Sequence, residues 1–225
     1  MTDQRWGAAR AAFAECFAPL GAAGFTLERL PDAATYWRRH EETLARDFPR
    51  EVFFDLRAAR GPAAAAAAAA LDAERDDHPL TDFHVVRDGD QIAAMFAGEQ
   101  RSRGVYRMWH TNVALAYRRR GLYRQILSST IAYTRGLGFA QITSEHAPSN
   151  NPVIIAKLAA GFRIYGFEID PSGGPSLILR YFHQAADLAA YELRCGLATL
   201  TPELRAAGAG AYAEFVAQVR GDGSP

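Results

Sequence analysis

Residues 117–127 read YRRRGLYRQIL, and they gather four arginines, Arg118, Arg119, Arg120 and Arg124, around a single glycine, Gly121. Apolar residues on either side place this turn between the end of a strand and the start of a helix. The first backbone N–H groups of a helix have no partner inside it and point outward together. With the helix dipole they form a seat for an anion, and glycine lets that anion approach the backbone closely. Guanidinium groups add paired hydrogen bonds to phosphate oxygens. The chemistry at this spot is the binding of a diphosphate or of another phosphate-rich group.

The charge is local. The chain of 225 residues carries 25 basic and 25 acidic side chains, so its formal net charge is zero. A neutral molecule is not built to wrap nucleic acid, which calls for a broad basic surface, nor to coat an anionic membrane. The common phosphate loops are also absent: no GxxxxGK precedes a serine or threonine, and no GxGxxG follows a strand. No stretch reaches 18 apolar residues and the N-terminal residues carry acids, so neither a spanning helix nor a signal peptide is expected. Cys16 and Cys195 are two cysteines far apart. They fit a reducing cytoplasm and the role of two small buried hydrophobes.

The elements that must position the turn follow from periodicity. Trp6, Phe13, Phe17 and Leu20 predict a first helix ending near Pro19, and residues 25–30 a strand. Trp37, His40, Leu44 and Phe48 share one face of a helix over 36–48, and 49–60 is a further helix. Pro62 and the alanines of 63–70 favour helix but offer little to pack. Asp88-Gly89 is a hairpin turn between strands near 83–87 and 91–98. A third strand covers 105–115. Leu122, Ile126, Ile131 and Leu137 mark the helix after the arginine turn. A strand at 139–146, a helix at 151–162 stopped by Gly161, and a hairpin of 163–170 and 176–182 complete the domain. Helices at 184–196 and from Thr201-Pro202 onward follow, with Leu188, Tyr191, Leu193, Leu204, Tyr212, Phe215 and Val219 as their packing residues. The predicted class is mixed α/β: a mostly antiparallel sheet, helices on both faces and added C-terminal helices. The expected divisions are an N-terminal helical segment 1–24, a domain 25–182 and a helical extension 183–225.

The arginine turn resembles the acyl-CoA loop of the GNAT superfamily of N-acetyltransferases. The family pattern is Arg or Gln, two free positions, Gly, one free position, then Gly or Ala; Arg118, Gly121 and Tyr123 stand in those places, with Tyr123 replacing the small residue. Val113, five residues earlier, matches the strand end where the family's backbone pairs with the pantetheine arm, a form of strand addition. SNNPVIIAKLAAGF resembles the second cofactor helix, with Asn150 or Asn151 at its start and Gly161-Phe162 at its close. The resemblance runs over 25–182. It implies acetyl-CoA as co-substrate, held by Val113, Ala114, Leu115, Arg118, Arg119, Arg120, Gly121, Leu122, Tyr123, Arg124, Asn150, Asn151 and Lys157, with no metal.

The implied reaction is attack of a primary amine on the thioester, which needs a base for the ammonium and an acid for the leaving thiolate. Many family members use a strand glutamate and a helix tyrosine. Here Arg107 stands at the first place and Lys157 at the second. The remaining candidates for the base are Glu145, at the end of the strand where neighbouring strands should splay apart, His110 and water, while Lys157 could donate a proton or bind a CoA phosphate. His110 has a suitable unperturbed pKa but a strand parity opposite to Val113, so without a bulge it faces the other side. Trp109, Tyr123 and Tyr165 are candidate walls. No pair among His84, His110 and His146 has metal-ligand spacing. The acceptor, a small-molecule or peptide amine, is expected between residues 36–56 and the last hairpin, where Arg38, Arg39, Glu41 and Glu42 mix charge. Neither a nucleic acid nor a membrane is expected as partner, and the chain is expected as a monomer or homodimer. The missing glutamate and tyrosine leave one alternative, an acyl-CoA-sensing module without turnover.

Overall fold

The computed structural model describes residues 7–47, 62, 63, 66, 79–171, 173–197, 200–206 and 210–220. The helix expected over 49–60, Trp6, Phe48 and most of the alanine stretch lie outside these residues; Pro62, Ala63 and Ala66 are helical. The chain divides into two units, 1–181 and 182–225.

In the first unit the order is α1 (Gly7–Ala22), β1 (Thr26–Arg29), α2 (Ala33–Thr43), β2 (Thr81–Asp88), β3 (Gln91–Ser102), β4 (Val105–Val113), α3 (Leu122–Gly136), β5 (Gln141–His146), α4 (Asn151–Ala159), β6 (Arg163–Asp170) and β7 (Gly174–Phe182). The seven strands form one sheet in the order β1-β2-β3-β4-β5-β7-β6. Pairing is antiparallel from β1 to β4, parallel between β4 and β5, and antiparallel between β6 and β7. The predicted mixed, mostly antiparallel architecture is the one observed.

Two apolar layers cover the sheet. On one face Phe13 and Phe17 of α1 and Ile126 and Tyr133 of α3 pack on Ala94, Phe96 and Tyr106. On the other, Tyr36 of α2 and Leu30 and Leu44 beside it cover Phe83, Val85 and Met95. Pro19 does not end α1, which continues to Ala22. Proline removes one helical bond, to the carbonyl of Glu15. Glu15 and Pro19 are both exposed, so water satisfies that carbonyl, while burial of Phe17 and Leu20 carries the helix through. Helix α2 starts three residues earlier than its apolar period suggests, because Asp32 caps it by accepting from Thr35 N at 2.7 Å.

A polar group lies within the first layer. Asp82 of β2, 5% exposed, accepts from the hydroxyls of Tyr106 (2.8 Å) and Tyr133 (3.1 Å). Burial pushes its carboxyl up to about 6, although both tyrosines pull the other way. A carboxyl whose folded value lies above its ordinary 3.8 favours folding most below 3.8 and loses that contribution as pH rises through about 6. The gap is worth about 3 kcal/mol. Asp82→Asn keeps an acceptor for the tyrosines and removes the titration. Its melting temperature is therefore expected to lack the wild-type decline between pH 4 and 6, measured by thermal denaturation across that range.

The second unit holds α5 (Ala185–Arg194), a single turn α6 (Pro202–Leu204) and α7 (Gly210–Arg220). Thr201 caps α6 by accepting from Leu204 N at 3.3 Å, as the Thr-Pro pair suggests. The Arg194 guanidinium stacks 3.8 Å from the Tyr212 ring centre. Phe215, expected to pack, is 60% exposed, and Cys195, expected to be buried, is exposed just after α5.

Candidate active site

Strand β4 is the spine of the site. It stays paired to β3 as far as Val113, but β5 leaves it after Arg107 and Thr143. From Met108 to Val113 one edge of β4 therefore faces the gap between diverging strands, an open ladder of backbone donors and acceptors. A bulge interrupts the other edge. Ala97 pairs with His110 and Gly98 with Met108, so Trp109 is an extra residue. Tyr106 and Met108 consequently join the α1/α3 layer, while Trp109 and His110 both face α2. The bulge lies before His110 rather than between it and Val113, so their opposite parity holds.

The arginine turn follows the end of β4 and leads into α3. Gly121, at φ 84°, precedes the first residue of α3 in the left-handed region, and Arg119 at φ 63° shares it. A non-glycine residue there is uncommon and costs strain. Two such residues within three make a tight turn at a helix start, the setting in which unpartnered backbone N–H groups can seat an anion. Arg119, Arg120 and Arg124 are exposed around it. Arg118 is engaged elsewhere: its Nε donates to Val113 O (3.1 Å) and its Nη2 to Asp47 O (3.0 Å). It braces the turn against the end of β4 and the segment after α2. Leu115 N donates to Asp47 Oδ2 at 3.0 Å, a second tie of the same kind.

A cleft of about 970 Å³ is lined by Tyr123 of α3, by Asn150 just before α4, by Lys157 of α4 and by Trp109 and His110; of residues 113–124 only Tyr123 lines it. Trp37, His40 and Glu41 of α2 form one side of its outer end, and Glu168, Asp170 and Ser176 of the last hairpin line it too. This is where the acceptor is expected from sequence. Arg38 and Glu42 do not line it, and Arg39 lies 3.9 Å from Glu28. Val113 and Ala114 are buried and Leu115 is exposed. Asn150 precedes α4 and lines the cleft, whereas Asn151 is its first residue and is exposed. Tyr165 does not line the cleft; the Arg180 guanidinium covers its ring at 3.4 Å.

The three candidate proton carriers have different surroundings. Glu145 is held by Arg107 Nη2 and by Arg101 Nη1, the latter at 2.5 Å, and Arg107 also reaches Glu99 at 3.3 Å. His110 Nδ1 shares a 2.7 Å hydrogen bond with the Tyr36 hydroxyl. Burial, helped by His40, pulls its pKa to about 3, so the ring is neutral at pH 7. Burial, helped by Lys157, does the same to His146. Lys157 is 1% exposed, with Met108 Sδ at 3.6 Å and the Phe162 ring centre at 4.8 Å from its Nζ. Burial pulls its ammonium down to about 7, against the opposing pull of Glu145. Among the described residues it makes no ion pair.

Several lining residues carry no motif. Trp37, His40 and Asn112 come together only because α2 lies across β4: Trp37 and Trp109 rings sit 5.6 Å apart, and Asn112 Nδ2 donates to His40 Nε2 at 2.7 Å. One signal for Lys157 does stand in the composition. It is the only lysine in the chain, and the other basic side chains are all arginines. Arginine cannot release its proton in a protein, whereas a buried lysine can. Among the described residues no group of three or more His, Cys, Asp and Glu is placed to hold a metal. No helix among them is long and apolar enough to cross a membrane.

No family model matches the chain, and no curated protein sequence does. Solved structures are similar. Ard1 from Thermoplasma volcanium is 13% identical with a TM-score of 0.50, over 71% of this chain and 97% of that one. A Desulfovibrio desulfuricans protein assigned to the GNAT family is 21% identical with a TM-score of 0.48, over 70% of this chain and 98% of its own. A Bacillus subtilis acetyltransferase in complex with CoA is 12% identical with a TM-score of 0.48, over 71% and 99%. At such identities the likeness is one of architecture, and the architecture of this chain is the GNAT fold.

Proposed function

We propose that the protein transfers an acetyl group from acetyl-CoA to a primary amine by direct attack. One observation carries the reading: a single cleft joins the N-terminal turn of α3, the open edge of β4 and a buried lysine. The turn around Gly121 suits a pyrophosphate, with Arg119, Arg120 and Arg124 as outer partners. The open β4 edge suits the amides of a pantetheine arm, and acetyl-CoA supplies the thioester. Arg118 acts through the loop it braces.

Lys157 then serves as proton carrier. A group near 7 holds its proton half the time at neutral pH, so it can protonate a departing thiolate and be recharged by the incoming ammonium. His110 is a weak base at about 3 and serves as wall and hydrogen-bond partner for the acceptor. Glu145, paired with two arginines, tunes Lys157 by its charge. A protonatable group where the family tyrosine would stand removes the main ground for a module without turnover. The acceptor is a small-molecule or peptide amine, and the protein works in the cytoplasm as a monomer or homodimer.

Calorimetry with acetyl-CoA and with CoA tests the reading. Binding is expected in both cases, with thermal stabilisation of about 2.7 kcal/mol at a hundred times Kd. Gly121→Val is expected to abolish it while the apo protein keeps its circular dichroism spectrum. A Cβ at Gly121 meets open space, so the penalty is the left-handed φ of 84° and the lost approach to the backbone, not a clash. Micromolar binding retained by this variant would sink the assignment.

A further inference from the structure

A chain that uses arginine at every other basic position and one lysine at the base of a cleft has placed its only side-chain amine there. That amine is 1% exposed among Met108, Phe162 and the end of β5, with a thioether sulfur as its acceptor. The ionisable groups facing it are Glu145, itself held by Arg101 and Arg107, and the neutral ring of His146, whose Nε2 bonds Ser144 Oγ at 3.1 Å. Such surroundings favour the uncharged amine, the form with a free lone pair. The same cleft is lined by Tyr123 at the start of α3 and by the residues of the open β4 edge from Met108 to Asn112.

We infer that Lys157 is itself an acyl acceptor: when no external amine is present, its Nζ takes one acetyl group from the bound thioester. The inference rests on the acetyl-CoA reading above. A bond forms between Nζ and the carbonyl carbon, the carbon–sulfur bond breaks, and the proton released by Nζ passes to the departing thiolate. The products are N-acetyl-lysine and CoA. The amide is uncharged, so acetylation removes the cost of keeping an ionisable group among apolar side chains. It also removes the proton carrier, so the modified enzyme no longer turns over. Self-acetylation thus makes scarcity of acceptor a signal that silences the site.

The test uses the full chain, acetyl-CoA and no amine, at pH 8. Intact mass and peptide mapping are expected to find one acetyl group on the peptide containing Lys157, with one equivalent of CoA thiol released. Activity towards an added amine falls in proportion. The rate should exceed that of the urea-unfolded chain by about a hundredfold or more, since the folded cleft holds the two groups together. Lys157→Arg should gain no acetyl group at this peptide. After gel filtration the acetylated protein should melt higher than the unmodified one. Binding of acetyl-CoA by calorimetry with Lys157 unmodified, or modified no faster than in urea, overturns self-acetylation and leaves the CoA site standing. Absence of binding removes both.

Discussion

Lys157→Met is expected to lower kcat for amine acetylation by about a hundredfold or more, the usual contribution of a positioned acid or base, while making the protein more stable at pH 7. The two effects share one cause. A lysine whose folded value is about 7 and whose ordinary value is 10.5 contributes no cost above 10.5. Stability is lost as pH falls from there through 7, because the unfolded chain takes up the proton that the folded chain resists. The full penalty approaches about 5 kcal/mol. Methionine fits the same space beside Met108 and Phe162 and carries no charge. Melting curves of both proteins from pH 7 to pH 10 should therefore show a gap that narrows as pH rises. A variant with near wild-type kcat would remove Lys157 from the chemistry. A gap independent of pH would instead assign the gain to packing alone.

Gly98→Ala is the largest expected effect on the fold. A Cβ built at Gly98 of β3 would lie 2.1 Å from the Tyr106 hydroxyl oxygen and 2.5 Å from Cζ of the same ring. Tyr106 has no room to withdraw, being 0% exposed and bonded to Asp82. Either β3 shifts or the tyrosine gives up the carboxylate. Overpacking of this kind costs about 3 kcal/mol, and a buried carboxylate stripped of a donor adds to that. Urea denaturation measures it as a fall in midpoint at unchanged slope. Gly104→Ala is the control, since a Cβ there makes an ordinary 3.6 Å contact with Ala140. If Gly98→Ala unfolds at the wild-type midpoint, glycine at 98 is not what admits Tyr106.

Much of the framework was legible because it rests on local rules. Gly89 at φ 54° and the antiparallel pair that meets there follow from the Asp-Gly dipeptide. Gly121 in the left-handed region follows from a glycine between a strand and a periodic helix. The parting of β4 and β5 near Glu145 follows from the element order. What stayed hidden depends on distant partners. Nothing near Arg118 announces that its guanidinium turns back to Val113 and Asp47, 71 positions away for the latter. Asp82 reads as an ordinary strand-end acid until Tyr106 and Tyr133 arrive from two other elements. The facing of Trp37 on Trp109 likewise needs α2 laid across β4. The single lysine is the reverse case: visible in the composition, it acquires meaning only once its burial is known.

The bulge at Trp109 has a wider consequence. Were Trp109 absent, Met108 and His110 would be neighbours in a regular strand, and simple alternation would still send Tyr106, Met108 and Val113 to one face and His110 and Asn112 to the other. The strand register is therefore indifferent to residue 109, although the Trp109 ring packs on Trp37 and Phe83. One position has been spliced into the cleft wall without disturbing the register on either side. A lineage that needs a new acceptor can rewrite that one word and leave the grammar of the sheet alone.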